Sequence, residues 1–500
     1  MELQFEKTPL PCLRILVQQA QQQEQTQEVK LPDGMPDIGR ILACRGQVMI
    51  RGKQWNSDHV SVSGGIMAWV LYVPEEGGDP RWVESWLPFQ MKWEIPGSQR
   101  DGSITLQPLL SAVDARAVSA RKILVRGCVS IHAMAAVEDE AYLYTPDATL
   151  PEDVQILKHT YPVCVAKEAG EKLFLVDEQI SLPGTVPAAE KVICYTVCPS
   201  VIEQKVMGDK VVFRGTASLH LLYMDPAGKL CSWDFEMPFS QYAELTGDYA
   251  PEATCRVELA VTSVEFEPGE DGSYHWKTGI TGQYMIYDHV IAQVVADAYS
   301  PGREIVLQGT ELALASALAM QSNSVQLEQQ AEVAGTDVVE AVVYQEHPSL
   351  FREADQLEAT MEGQFQVLAY DENGQLYNTT QRWENTRTIP ADKGSALVVS
   401  AHPATAVRAV PAGGATALYA DVQVLTTATA NEGIPMVTGM ELGEQKESDP
   451  GRPALILRRA GEDTLWQIAK ETGSTVEAIR NANGLQQEPL ENQMLLIPVP

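Results

Sequence analysis

Val211–Lys229 reads VVFRGTASLHLLYMDPAGK, and versions of this stretch occur twice more in the chain. Leu219, Leu221 and Tyr223 alternate with Ser218, His220 and Leu222, the period of two expected of a strand with at least one apolar face. Asp225-Pro226-Ala227-Gly228 then supplies turn chemistry, so the segment reads as a strand, a tight turn and the start of a return strand. Val60–Val73, VSVSGGIMAWVLYV, repeats it, with Gly64 and Tyr72 at the spacing of Gly215 and Tyr223. A third version, Ala359–Gly374, ATMEGQFQVLAYDENG, closes on Asn373-Gly374, a short-range hairpin signal.

The first two versions belong to a longer duplication. Adding 151 to a position in the first copy carries Leu31-Pro32 to Leu182-Pro183, Pro36 to Pro187, Ile41-Leu42 to Val192-Ile193 and Trp82 to Trp233. One residue of slip then aligns Leu87-Pro88-Phe89 with Met237-Pro238-Phe239. That period is too long for a solenoid repeat and suits a whole domain. The expected organisation is a first β domain over 1–154, a second over 155–316, a more diverged third over 317–440, a linker over 441–453 and a small module over 454–500. The fold class is mainly β, with tandem duplicated β-sandwich-like domains followed by a small α+β unit.

Composition bounds the function. The 500 residues carry 67 acids against 36 bases, a formal net charge of -31, which disfavours nucleic acid and anionic membrane surfaces as partners. The start, MELQFEKTPLPCLRILVQQ, lacks the apolar core and cleavage site of a signal peptide, and no apolar run reaches spanning length, so a cytosolic address without a transmembrane segment is expected. The eight cysteines form no CxxC pair; Cys194 and Cys198 share strand parity and read as buried thiols rather than half of a metal site.

Along the chain, the Gln18–Gln27 run reads as a long edge strand or loop. Leu312–Met320, LALASALAM, has helical composition, although period does not settle so short an apolar run, and Glu441–Pro453 reads as a charged linker bearing Pro and Gly. After it the periodicity turns helical. Ala454–Arg458 is a short strand, Thr464 opens a helix whose Leu465, Ile468 and Ala469 share one face, and Gly473 stops it. Thr475 caps a second helix that ends at Asn483-Gly484, and Met494–Pro498 closes the unit as a strand, giving β-α-α-β.

Residues Ala454–Pro498 resemble the LysM domain, on Gly461, Asp463-Thr464-Leu465-Trp466, Ile468-Ala469, Thr475, Ile479, Asn481, Asn483-Gly484-Leu485 and Leu496-Ile497-Pro498. The resemblance implies a shallow groove for N-acetylglucosamine-containing glycans such as peptidoglycan. It would be formed by Gly461, Glu462, Asp463 and Thr464 on one side and Asn483, Gly484 and Leu485 on the other. Glu462 is an added acid relative to the common Gly-Asp-Thr-Leu-Trp pattern, and Glu488 and Glu491 lie before the last strand.

The duplicated β units resemble SPOCS domains, on Leu31-Pro32, Pro36-Asp37-Ile38, Arg40-Ile41-Leu42, Ala120-Arg121-Lys122-Ile123, Leu182-Pro183 and Lys210–Gly215. Serial SPOCS units ending in LysM are similar to the SipL/SpoVID-like spore coat morphogenetic proteins of endospore-forming Firmicutes. That resemblance implies a non-enzymatic scaffold in the mother cell, at the forespore surface, whose partner is the SpoIVA-like coat-forming ATPase.

An enzyme is disfavoured on the residues themselves. The eight histidines show no HxxxH spacing, and there is no P-loop, no GxGxxG after a strand and no GxSxG elbow, so no catalytic residue, cofactor or metal is assigned. Glu75-Glu76 and Glu138-Asp139-Glu140 read as solvated carboxylates in turns or loops, and Trp69, Trp233 and Trp466 as core. The alternative function is a peptidoglycan-binding cell-wall protein.

Overall fold

The computed structural model describes residues 2–499 except 98–100, 147–149, 270–271, 315–316, 332, 334–336, 354–355, 390–394, 404–405, 413–414, 431–432, 447–452 and 488–492. It is 78% strand and 4% helix, mainly β with a small α+β module. After the short β1 (Glu2–Gln4), strands β2 (Glu6–Lys30), β3 (Ile38–Trp55), β4 (His59–Pro74), β5 (Arg81–Glu94), β6 (Ser103–Ser119) and β7 (Lys122–Thr145) form two antiparallel sheets, ordered β3-β4-β5 and β2-β7-β6. They face each other across one apolar core that holds Val62, Ile66 and Trp93 from the first sheet and Leu106, Ile123 and Ile131 from the second.

The same plan follows in β8 (Gln155–Ile180), β9 (Lys191–Met224), β10 (Leu230–Tyr249), β11 (Thr254–Pro268) and β12 (Tyr274–Tyr299). Sheet β9-β10 packs on sheet β11-β12-β8 around Phe213, Leu219, Trp276 and Ile280. Here β9 does the work of both β3 and β4. It folds back at Gly208 (φ 63°), so that Ser200 Oγ lies 3.1 Å from Thr216 Oγ1 and the Glu190 N–H donates to the Met224 carbonyl.

Beyond β13 (Arg303–Ala313), a third unit is built from β14 (Ala317–Ala331), β15 (Asp337–Gln345), β16 (Ser349–Glu353), β17 (Gln356–Tyr370), β18 (Leu376–Ile389), β19 (Ser395–Pro403), β20 (Arg408–Ala412) and β21 (Ala415–Ala430). Its core holds Phe365, Val367, Leu418 and Val422. Strand β22 (Gly433–Gln445) then pairs on one side with β13 and on the other with β1, sewing the first residues of the body to the last. The described residues of Leu312–Met320 are therefore not helical. The ends of the stretch belong to two strands, with Leu312 opposite Ile434 and Met320 opposite Thr427, because cross-strand partners supplied from far along the chain override a helical composition. Residues 441–445, expected to open a linker, likewise continue β22, and the Lys446 N–H still donates to the Gly302 carbonyl. The Gln18–Gln27 run lies in β2, an outer strand of its sheet.

The repeated hairpin is held by a glycine in each unit. Gly64 faces Phe89, Gly215 faces Phe239 and Gly363 faces Trp383 across the return strand. A Cβ at any of the three would strike a neighbouring carbonyl oxygen, that of Met49, Ser200 or Tyr344, and approach the facing ring to 2.8, 2.7 and 2.7 Å respectively. Tyr72 and Tyr223 extend the likeness in the first two units: each phenol donates to a proline carbonyl, Pro36 at 3.0 Å and Pro187 at 3.1 Å. The tips of the second and third hairpins also match, since Asp225 and Asp371 each accept two backbone N–H groups on Oδ1 at 2.8 and 2.9 Å or 2.8 and 2.8 Å. Asn373-Gly374 thus forms the second half of a four-residue turn rather than a two-residue one. Gly215→Ala should lower the melting temperature of the full chain, with an overpacking cost of roughly 1–3 kcal/mol; an unchanged melt in differential scanning fluorimetry would show that the close approach is not obligatory.

Alternation explains why the hairpin strands are apolar on both faces. In β9, Phe213, Leu219, Leu221 and Tyr223 fill the unit's own core, while Leu222 and Met224 point the other way. There they meet Trp69 and Leu71 of β4 and Leu368 of β17 in a shared apolar cluster, so the three hairpin sheets pack against one another. Beside this cluster lies a buried polar centre to which each unit contributes. Glu340 Oε1 accepts from Arg45 Nε at 2.6 Å, its Oε2 lies 2.8 Å from His220 Nε2, and His220 Nδ1 lies 2.7 Å from Asp234 Oδ1. The Glu340 side chain is fully buried and that of Arg45 is 3% exposed.

Burial alone would raise the Glu340 carboxyl, but the Arg45 charge and the His220 hydrogen bond reverse this and bring it down to about 2. Burial likewise opposes charge on His220, yet hydrogen bonds to Asp234 and Glu340 carry it up to about 9. The stabilisation from His220 is complete below its ordinary value of 6.5 and is lost as pH rises through about 9; that from Glu340 is complete above its ordinary 4.5 and is lost as pH falls toward 2. The junction should therefore be most stable between about pH 4.5 and 6.5, and Glu340→Gln should remove roughly 3–5 kcal/mol by leaving Arg45 buried without its counter-charge. Thermal melts across pH test both statements, and a Glu340→Gln melt matching the parent at pH 6 would contradict them.

Candidate binding groove of the C-terminal module

The module consists of β23 (Leu455–Arg459), α1 (Leu465–Thr472), α2 (Val476–Asn483) and β24 (Met494–Pro498), with β23 and β24 paired antiparallel. Thr464 caps α1 through a reciprocal box: its hydroxyl accepts from the Gln467 N–H, and Gln467 Oε1 accepts from the Thr464 N–H at 2.8 Å. Thr475 caps α2 by accepting from the Ala478 N–H at 3.1 Å. Gly473 (φ 65°) and Gly484 (φ 62°) end the two helices in the left-handed region. Leu465, Ile468, Ala469, Ile479, Leu495 and Ile497 form the core.

The seven expected groove residues divide by role. Gly461, Glu462 and Thr464 are exposed and Asp463 is half-buried. Asp463 is not a free acid: its Oδ2 lies 2.6 Å from Arg458 Nη2, while Arg458 Nη1 lies 2.6 Å from Glu471, so one guanidinium ties the loop to α1. Glu462 makes no ion pair among the described residues and carries the loop's uncompensated charge. Asn483 is consumed by the frame. Its Nδ2 donates to the Leu496 carbonyl at 2.6 Å and to the Ile479 carbonyl at 2.8 Å, and its Oδ1 accepts from the Leu496 N–H at 2.8 Å. Leu485 packs on the module core and Gly484 is the α2 cap. Glu488 and Glu491 lie outside the described residues. What the loop over 461–464 offers a ligand is exposed backbone, one hydroxyl already engaged in capping, and one acid.

The module does not hang free. Trp466 Nε1 donates to Asp297 Oδ2 at 2.8 Å, Lys470 Nζ reaches both Asp297 oxygens at 2.8 and 2.7 Å, and the Tyr299 hydroxyl donates to the Ser474 carbonyl at 2.9 Å. Tyr299 and Trp466 meet edge to face with centroids 4.8 Å apart. Trp466 therefore flanks the module core and also seats the module on the end of β12, a second role its helical spacing does not reveal. Asp297 is a positioning residue that sequence reasoning missed, since it lies 169 residues from Trp466.

Glu138-Asp139-Glu140 belongs to β7 rather than to a loop, where Asp139 pairs with Arg14 at 2.8 Å and Glu140 accepts from the Tyr142 hydroxyl at 2.7 Å. Trp69 is buried in the junction cluster, and Trp233 is half-buried beside Phe235. Cys194 is buried with its thiol pushed well up by burial, and Cys198 Sγ donates to the Pro403 carbonyl at 3.0 Å. His132 and His347, 215 residues apart, lie with ring centroids 5.9 Å apart, and burial pushes them down to about 3 and about 4. Among the described residues no group of three or more metal-ligating side chains is gathered.

The family described as SipL, SPOCS domain, matches residues 37–132 and 188–268, and the LysM domain family matches residues 461–498. The chain carries SPOCS and LysM domains. No curated protein and no solved structure matches it. The two SPOCS segments span the first and second copies of the hairpin, and the third hairpin, outside both, repeats their glycine constraint. SPOCS and LysM are non-catalytic binding domains, and together they describe a spore-coat-associated protein with a domain of the peptidoglycan-binding kind. Among the described residues no helix is long and apolar enough to cross a membrane. Replacing Asp297 by Ala should loosen the LysM domain from the SPOCS body, seen as a red shift in Trp466 emission and faster amide exchange over 465–474; a domain that stays equally protected would mean that the Tyr299 contacts alone suffice.

Proposed function

We propose that the chain is a non-enzymatic scaffold of spore coat assembly, in which the SPOCS units and the LysM domain link coat morphogenetic proteins at the forespore surface. The observation that carries the reading is the outward loop of a seated domain: Trp466, Lys470 and Ser474 are spent on the body, while Gly461, Glu462 and Thr464 stay exposed. A docking face on a fixed mount suits a scaffold. The chemistry at the centre of the body supports the same reading, because Arg45 and His220 are balanced by Glu340 and Asp234 where three units meet.

The expected partner of the LysM loop is a basic surface on a SpoIVA-like coat-forming ATPase, with residues 461–464 as the docking edge. Asn483, bound on both of its amide atoms, holds the frame rather than the ligand. Since Asp463 is already paired with Arg458, steering falls to Glu462, and an exposed charge acts mainly on association rate. Glu462→Lys should weaken binding of the full chain to the immobilised ATPase by about 1 kcal/mol, roughly fivefold, and raised salt should have the same direction of effect. The second reading, in which the LysM domain binds peptidoglycan or other N-acetylglucosamine glycans, is favoured by the LysM match itself. Titration with chitin oligomers and muropeptides separates the two: micromolar or tighter glycan binding, with no ATPase binding of similar strength, would sink the scaffold assignment for this domain.

A further inference from the structure

Strand β23 leaves one edge of the LysM sheet open, and the register shows which groups line that edge. The Ala460 N–H donates to the Gln493 carbonyl at 2.7 Å and the Val499 N–H to the Ala454 carbonyl at 3.0 Å, so Ala454, Ile456, Arg458 and Ala460 turn their backbone groups toward β24. Leu455, Leu457 and Arg459 therefore aim theirs at the far side, where none has a partner among the described residues. The outward positions of β24 are closed by contrast. The Leu496 N–H donates to Asn483 Oδ1 at 2.8 Å and the Leu496 carbonyl accepts from Asn483 Nδ2 at 2.6 Å, while Pro498 has no N–H and its carbonyl accepts from the Ser474 hydroxyl. The domain caps one edge of a two-stranded sheet and leaves the other.

The side chains along the open edge are apolar. Leu455 is 55% and Leu457 67% exposed, and with Met494 and the half-buried Leu496 and Pro498 they form the outer face of the sheet, away from Leu495 and Ile497 in the core. An edge that meets only water is ordinarily guarded by charge, proline or a bulge. Here the guard is Arg459, exposed and without an ion-pair partner among the described residues, since the neighbouring Arg458 is taken by Asp463 and Glu471. We propose that β23 is a strand-addition site for an extended segment of a partner protein that carries an acid followed, at two-residue steps, by two apolar side chains. Alternating unpaired N–H and C=O groups are complemented by extended backbone. An antiparallel segment sets every second residue opposite Arg459, Leu457 and Leu455 in that order, which places the acid on the guanidinium and the apolar pair beside the two leucines. A second copy of β23 meets this demand less well. Paired about Leu457, it sets each Arg459 against a leucine and leaves both cations unmatched, and a chain of net charge -31 resists meeting itself.

This edge is separate from the loop over 461–464 and does not depend on what that loop binds. The test adds the end-blocked peptide Thr-Glu-Thr-Val-Thr-Val-Thr, or its counterpart with lysine in place of the glutamate, to the full chain, and follows fluorescence polarisation of the labelled peptide and amide exchange resolved by residue. The expected result is saturable binding of the acidic peptide that slows exchange at Leu455, Leu457 and Arg459, with Ile456 and Arg458 already slow through their bonds to β24. The lysine peptide should bind roughly fivefold more weakly, and Arg459→Glu should reverse the order of the two. Binding that leaves those three amides unprotected, equal binding of both peptides, or no saturation up to about 1 mM would each overturn the proposal. So would a concentration-dependent dimer, without peptide, in which the same three amides are already protected, since the occupant would then be a second copy. The two peptides on the parent protein decide the matter even where the variant fails to fold.

Discussion

A carboxylate withdrawn completely from water is tolerated only where fixed positive charge and hydrogen bonds replace its hydration. Glu340 meets that condition solely through residues of other units, Arg45 from the first and His220 from the second. The outer faces of the three hairpins cover one another, Trp69, Leu222 and Leu368 meeting in one cluster. The apolar cluster gives the junction its non-directional burial, and the ion cluster lies beside it with a residue from each unit. Seams elsewhere use amides to the same end: Gln283 bonds both backbone groups of Leu106, Gln423 donates to the Val201 carbonyl, and Gln47 accepts from the Val197 N–H.

The duplication preserves shape and varies chemistry. Trp69 stands opposite Glu84 in the first hairpin and donates its indole N–H to that carboxylate at 3.2 Å. At the equivalent place in the second hairpin His220 stands opposite Asp234, and the third has Leu368 opposite Asn378. One cross-strand position thus holds an indole, an imidazole and an aliphatic side chain, and the three hairpins cannot exchange places. Glycines that permit close approach recur because the backbone geometry recurs; the residues that face neighbours differ because the neighbours differ.

What was legible in the sequence follows the same division. Alternation in Val211–Tyr223, the turn at Asp225 and the caps at Thr464, Thr475, Gly473 and Gly484 are local rules, read within a few residues. The helical composition of Leu312–Met320 misled because a strand is decided by the partner beside it, here β22 and β21. For the candidate groove, the sequence located the loops but not what their side chains were doing. Asp463 is engaged by Arg458 and Asn483 by Leu496, and neither bond leaves a mark at the level of spacing. The seat formed by Asp297 and the meeting of Arg45 with Glu340 span 169 and 295 residues, beyond the reach of any periodicity.

Separation along the chain also sets a clock. During synthesis Arg45 emerges 295 residues ahead of its counter-charge, which at roughly 5–20 residues per second is a wait of about 15–60 s. Strand β1 waits longer still, since the edge it joins, Gly439–Glu441, comes near the end of the body. Until the third unit is made, the outer faces of the first two hairpins lack the Leu368 side of their shared cluster. The suture of β1 to β22 is a step that closes only after every unit has been made, later than the closing of any one unit's own core.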